Sequence, residues 1–194
     1  LTPTTLFIAN AGDNTFETFK SLPAYFDGSK YQVQQFQAKS KDGTMVPYFV
    51  VSSKSTKLDG KNPTLLYAYG GFEVSEVPNY SATTGTAWLE NGGVYVLANI
   101  RGGGEFGPKW HQAGLKEKRQ NVYDDFHAVA EDLISRKITS NKNLGIFGGS
   151  NGGLLVGVAF TQRPDLYQAV VCAAPLVDIQ RYNHLLAGAS WMGE

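Results

Sequence analysis

The chain has 194 residues, with 17 Lys and Arg against 17 Asp and Glu and a formal net charge of zero. This length suits a domain with a sizeable core, and the balanced charge supplies no electrostatic footprint for nucleic acid or an anionic membrane. No apolar run approaches the ~18–20 residues of a membrane span, and the single cysteine, Cys172, excludes an internal disulfide framework and a cysteine-built zinc site. Residues 1–5 lack both an initiator Met and the basic and apolar regions of a signal peptide, which reads as a start inside a longer protein. The expected compartment is the cytoplasm, with the periplasm as the alternative.

In chain order, residues 1–27 read as all-β, with a strand at Thr5–Ala9 and aromatic segments broken by Pro23. They look like the last strands of a preceding domain, with a boundary at Asp27-Gly28-Ser29. Tyr31–Lys39 and Val46–Val51 form a hairpin across the Asp42-Gly43 turn. Then the pattern alternates. Thr64–Tyr69 is a short buried strand, Ser81–Asn91 a helix and Gly93–Ile100 a strong strand. Asn121–Arg136 is the clearest helix, with Val122, Phe126, Val129, Ala130, Leu133 and Ile134 at helical spacing and Asn121 as its cap. Asn143–Gly148 is a strand, Gly152–Gln162 a helix, and Gln168–Ala174 a nearly continuous apolar strand. Strands buried on both faces and separated by helices predict a mostly parallel sheet in an α/β fold.

The sharpest chemical signal is Gly148-Gly149-Ser150-Asn151-Gly152, a Gly-x-Ser-x-Gly pattern between a strand and a helix. That order is what a nucleophile elbow needs. Ser150 would sit in a strained turn, and its neighbours two residues away must be small for strand and helix to pass closely. The hydroxyl would then lie beside a helix N-terminus whose amides stabilise an oxyanion. Tyr69, at the end of the Leu65–Tyr69 strand before Gly70-Gly71, occupies the loop that supplies the other half of an oxyanion hole. Its hydroxyl and the Asn151 backbone N–H are the two candidate donors.

Gly102-Gly103-Gly104-Glu105-Phe106-Gly107 fits a dinucleotide fingerprint, with Asp124 and Asp125 about twenty residues on. The following segment, Pro108–Gln112, does not open an amphipathic helix, and the two aspartates fall within a helix, so the nucleotide reading is set aside. The loop is expected to cross the edge of the active site, with Arg101 held by a carboxylate. His111, His127 and His184 lack metal-ligand spacing, and His127 reads as a surface or boundary residue. None is the expected base. In this fold the acid and base follow the serine on later strands, and Asn151–Glu194 is too short to reach them, with Asp178 one unit too early. The chain reads as a truncated catalytic domain.

Several blocks in order resemble the prolyl oligopeptidase family of serine peptidases: Tyr69-Gly70-Gly71-Phe72, Pro78-Asn79-Tyr80-Ser81, Ala98–Gly107, Trp110-His111, Asp124-Asp125-Phe126, Gly148–Leu155 and Gln162–Leu166. The similarity covers Tyr31 to Glu194. Asn151 after the serine resembles the prolyl-specific branch. The resemblance implies an α/β-hydrolase domain capped by a β-propeller that admits short peptides, residues 1–27 being the propeller's last strands and residues 28–194 the N-terminal part of the hydrolase. It implies Ser150 as nucleophile, Tyr69 and the Asn151 amide as oxyanion hole, and Trp191, Phe72 and Leu176 as the wall against the substrate proline. No metal or organic cofactor is implied, nor any nucleic-acid or membrane partner. Cleavage on the carboxyl side of proline is the expected activity. An esterase, an acyl-peptide or basic-residue oligopeptidase, and a non-catalytic fragment are the alternatives.

Overall fold

The computed structural model describes residues 1–194. Its centre is a six-stranded sheet of β3 (Tyr31–Lys39), β4 (Met45–Ser53), β5 (Thr64–Tyr67), β6 (Val94–Ala98), β7 (Leu144–Gly149) and β8 (Ala169–Ala173), in spatial order β3-β4-β6-β5-β7-β8. The β3-β4-β6 side pairs antiparallel, whereas β6, β5, β7 and β8 run parallel. The sheet, with helices between its parallel strands, is the expected α/β architecture.

Strand alternation divides the core in two. Val46, Tyr48 and Val50 of β4 and Val94 and Val96 of β6 point one way, into a large cluster with α3 (Gln120–Ser135) and α4 (Asn151–Gln162). Val51 and Tyr95 point the other way, into a small cluster with Phe26, Tyr31 and Leu89. That second cluster is closed by α1 (Ala82–Thr84), which continues as a π-helical turn over Gly85–Leu89. A Cβ at Gly85 would collide with the Phe26 ring, so the wide turn packs there only because the residue is glycine.

Four expectations need correction. The strands are not buried on both faces: β7 alternates buried and half-buried residues, and β8, at the sheet edge, leaves Ala169, Val171 and Ala173 exposed. The apolar run reflects a strand whose outer face lacks a packed layer within this chain. Asn121 does not cap α3. The helix starts one residue earlier, after Arg119, because the Asn121 amide is engaged by Ala113 O at 2.9 Å. Pro108–Gln112 does form a short helix, α2, entered through Gly107 at φ 79°. His127 is buried, because α3 is covered on the sheet side and also by Tyr167, whose hydroxyl lies 2.9 Å from His127 Nδ1.

Residues Thr5–Ile8 (β1) and Glu17–Ser21 (β2) pair antiparallel as a separate two-stranded sheet. Leu6, Phe7, Ile8, Phe16 and Phe19 are all exposed on it. The chain joins the main body at Phe26, whose ring stacks on Tyr80 at 5.2 Å.

Candidate active site

Ser150 sits between the end of β7 and the start of α4 with φ 56° and ψ −117°. A non-glycine residue in this left-handed region is strained, and such strain is tolerated where surrounding structure enforces it. Two features enforce it. Ser150 N donates to Ala173 O on the neighbouring strand at 2.9 Å, and Ser150 O accepts from Gly153 N and Leu154 N in the first turn of α4. The strand and helix pass so closely that a Cβ on Gly148 would run into Gly152 O, and one on Gly152 would lie 3.1 Å from Ala68 O. The small residues of the pattern therefore have the steric reason the sequence suggests.

The result is an exposed serine whose Oγ makes no hydrogen bond within the chain. No imidazole meets it. His111 Nδ1 lies 2.8 Å from Gly102 O, His127 is held by Tyr167 and Gln162, and His184 is exposed in a 3-10 turn. Asp178 is engaged with Arg181.

Asn151 follows as the first residue of α4. First-turn amides have no intrahelical partner, and the Asn151 N–H donates to no other group of the chain. Its side chain is buried and doubly bound: Nδ2 donates to Tyr69 O at 2.7 Å, and Oδ1 accepts from Arg119 Nη2. Tyr69 is half-buried, its ring against Gly152, its hydroxyl without a partner in the chain. The turn after it is tight, with Gly70 at φ 64° and Phe72 at φ 55°. The loop after β6 backs this turn, and a Cβ on Gly102 would sit 2.5 Å from Gly70 O. The structure thus places the glycine-rich 102–107 segment beside the Tyr69 turn and supplies the carboxylate expected for Arg101. Asp125, fully buried, meets its Nε at 2.9 Å and its Nη2 at 2.6 Å, and Asp42 from the hairpin turn meets the other side. The Arg101 hydrogen bond holds the Asp42 carboxyl down at about 2. Glu105 Oε1 accepts from Glu76 N and Asn99 Nδ2 in the same loop layer, and burial pushes its carboxyl above the usual range.

Phe72, Leu176 and Trp191 come together with Asn151 around a cavity of about 330 Å³. The Phe72 and Trp191 rings meet edge to face, 6.0 Å between centroids and 85° between planes. Another cavity, of about 290 Å³ and lined by Phe26, Tyr67 and Tyr95, is formed by different residues and does not include Asn151. All six sequence-derived candidates therefore fall in one region running from the elbow to the aromatic cavity. Arg119 was not among them. It is one more cation in the run Lys116-Glu117-Lys118-Arg119, and nothing in that run marks it as the residue that reaches Asn151.

Comparison with known proteins gives the family. A family profile described as the prolyl oligopeptidase family matches residues 79–194. An uncharacterized peptidase of Sinorhizobium fredii is 61% identical over 194 residues, covering 100% of this chain and 27% of that protein. A prolyl endopeptidase of Elizabethkingia meningoseptica is 43% identical over 191 residues, 98% of this chain and 27% of that one. The solved structure of a post-proline cleaving enzyme from Rickettsia typhi superposes with a TM-score of 0.92 at 50% identity, over 99% of this chain and 28% of that chain. The chain thus spans about a quarter of the length of the relatives it matches. With the profile covering more than half of its residues and the elbow, the tyrosine turn and the aromatic cavity arranged as described, the chain belongs to the prolyl oligopeptidase family.

Proposed function

We propose that this chain carries the nucleophile, oxyanion hole and proline pocket of a serine peptidase that cleaves short peptides on the carboxyl side of proline. The observation that carries the reading is Ser150, held in a strained elbow with its hydroxyl exposed and two unengaged donors nearby, the Asn151 N–H and the Tyr69 hydroxyl. Ser150 Oγ attacks the carbonyl carbon of the proline residue, and its proton passes to a general base. The carbonyl oxygen becomes an oxyanion that the two donors stabilise, at a place where charge appears only in the transition state. Collapse expels the amine with a proton and leaves an acyl-enzyme, which water hydrolyses. Phe72, Leu176 and Trp191 offer the pyrrolidine ring an apolar wall. The same cavity is also lined by Lys116, Arg119 and Glu194, whose carboxylate accepts from Phe72 N at 2.8 Å, so the preference for proline rests on the three apolar side chains alone.

Ser150 Oγ has no internal acceptor for its proton. We assign the general base and its acid to residues outside these 194. We likewise assign residues 1–27 to the end of a β-propeller and residues 28–194 to the N-terminal part of the hydrolase domain; the separate, outward-facing β1–β2 sheet supports that division. No helix is long and apolar enough to cross a membrane. The prolyl oligopeptidase B of Galerina marginata, 33% identical with a TM-score of 0.93, is described as bound to a 35mer hydrolysis and macrocyclization substrate, which supports a peptide as the substrate class here. The cytoplasm is the compartment we propose. The test is Ser150→Ala in the complete gene product: turnover of a Pro-linked fluorogenic peptide is expected to fall by about 10⁴-fold or more. Retained turnover removes the assignment.

A further inference from the structure

The geometry points to Arg119 as a positioning residue for the oxyanion hole. Arg119 stands at the entrance to α3, 32 residues before Asn151, and its Nη2 donates to Asn151 Oδ1. The Asn151 Nδ2 then donates to Tyr69 O at 2.7 Å. A guanidinium can only donate and a backbone carbonyl can only accept, so the two contacts together fix which way round the Asn151 amide lies. Neither contact survives if it flips. The amide is also wedged: a Cβ on Gly71 would approach its Nδ2 to 2.5 Å, so glycine at 71 makes room for it.

Each half of the proposed oxyanion hole belongs to a different element. The Asn151 N–H belongs to α4 and the Tyr69 hydroxyl to the turn after β5. The chain Arg119–Asn151–Tyr69 is a direct side-chain tie between them, anchored on a third element, α3. Arg119 has no carboxylate within ion-pair distance, and its Nη1 is buried without a partner at the edge of the Phe72, Leu176 and Trp191 cavity. An arginine placed for stability by ion pairing finds a carboxylate, as Arg101 and Arg163 do. Arg119 instead gives its one strong contact to the amide beside the nucleophile.

This inference rests on the acyl-transfer reading of Ser150 but not on the preference for proline. The experiment is therefore run in the complete gene product on two substrates, a Pro-linked fluorogenic peptide and a p-nitrophenyl ester. Arg119→Met is expected to lower kcat about 10-fold or more on both substrates, because a displaced donor loses much of its effect, with KM within about twofold. Arg119→Lys, which keeps a donor, is expected to recover most of the loss. In the Asn151→Ala background Arg119→Met is expected to change kcat no further, because its contact is already gone. An unchanged kcat, a loss confined to KM, or an equal loss in both backgrounds overturns the inference. If Arg119→Met does not fold, Arg119→Gln is read in the same two backgrounds, with the same outcomes deciding. A wild-type protein that hydrolyses the ester alone removes the proline assignment and leaves this comparison intact. One inert towards both substrates overturns the acyl-transfer reading itself.

Discussion

Asn151 reaches back across the strand–helix junction to the carbonyl of Tyr69, 82 residues earlier, at 2.7 Å. In the proposed reading the residue after the nucleophile thus has two separate duties, an unengaged backbone N–H that serves as one oxyanion donor and a side chain that ties down the turn carrying the second. Asn151→Ala keeps the first and deletes the second. Its kcat on a Pro-linked peptide is expected to fall by about 10- to 100-fold with little change in KM. Tyr69→Phe deletes a donor itself and is expected to cost about 10²-fold or more in kcat. Steady-state kinetics of the two variants in the complete gene product check both figures.

Trp191→Ala opens the wall that meets Phe72 edge to face. Loss of that ring is expected to weaken proline-linked substrates by roughly 10–200-fold in kcat/KM, the scale of apolar pocket contacts. Hydrolysis of a small ester that does not reach the cavity should be nearly unaffected. Equal losses on peptide and ester would place the tryptophan elsewhere in the mechanism.

Gly148→Ala is expected to be worse than most single changes, because its Cβ meets the backbone oxygen of Gly152 rather than a movable side chain. Neither strand nor helix can yield without shifting Ser150. Loss of soluble protein, or a thermal midpoint lowered by several degrees together with lost fluorophosphonate labelling of Ser150, is the expected result. Gly92→Ala is the control: its Cβ would meet nothing within 4 Å, and only the φ of 83° resists the change.

Arg101→Met leaves the fully buried Asp125 without its cation. Breaking one side of such a pair costs about 3–5 kcal/mol, measurable by urea unfolding. The pH dependence follows from the other carboxylate. Asp42 is held at about 2 in the fold against 3.8 ordinarily, so the unfolded chain binds its proton more readily. Its stabilisation is whole above pH 4 and is lost as pH falls from 3.8 to about 2. Burial lowers the His127 pKa from 6.5, so a second loss begins as pH drops below 6.5, when the unfolded chain takes up a proton that the folded imidazole resists. Urea midpoints from pH 8 to pH 2 should show both declines, and Asp42→Asn should shrink the lower one, to which Asp27, Asp165 and Asp178, also held below the usual range, contribute the rest.

The elbow was legible because its signals are local: two glycines, a serine, an apolar strand before and a helix after, within about twenty residues. The hairpin was legible for the same reason, through alternation and the Asp42-Gly43 turn. What escaped depends on partners distant in sequence. Asn121 has the composition of a cap, but Ala113 O takes its side chain. His127 lies next to the main apolar stripe of α3, yet Tyr167, 40 residues later, covers it. The apolar spacing of β8 is the same whether or not a layer packs on its outer face, so exposure there could not be read from periodicity. Arg119 is one basic residue in a charged run until the fold brings α3 against α4.

The β8 rim has a practical consequence for handling the isolated chain. An outermost strand presents a row of free backbone N–H and C=O groups, and here it also turns Val171 towards solvent, 55% exposed. Such a margin is a template on which a second copy, or any extended peptide, can add itself as the next strand. A preparation of these residues alone is expected to self-associate with rising concentration through that rim, which light scattering across a dilution series checks. A lysine in place of Val171 blunts it without touching the cleft.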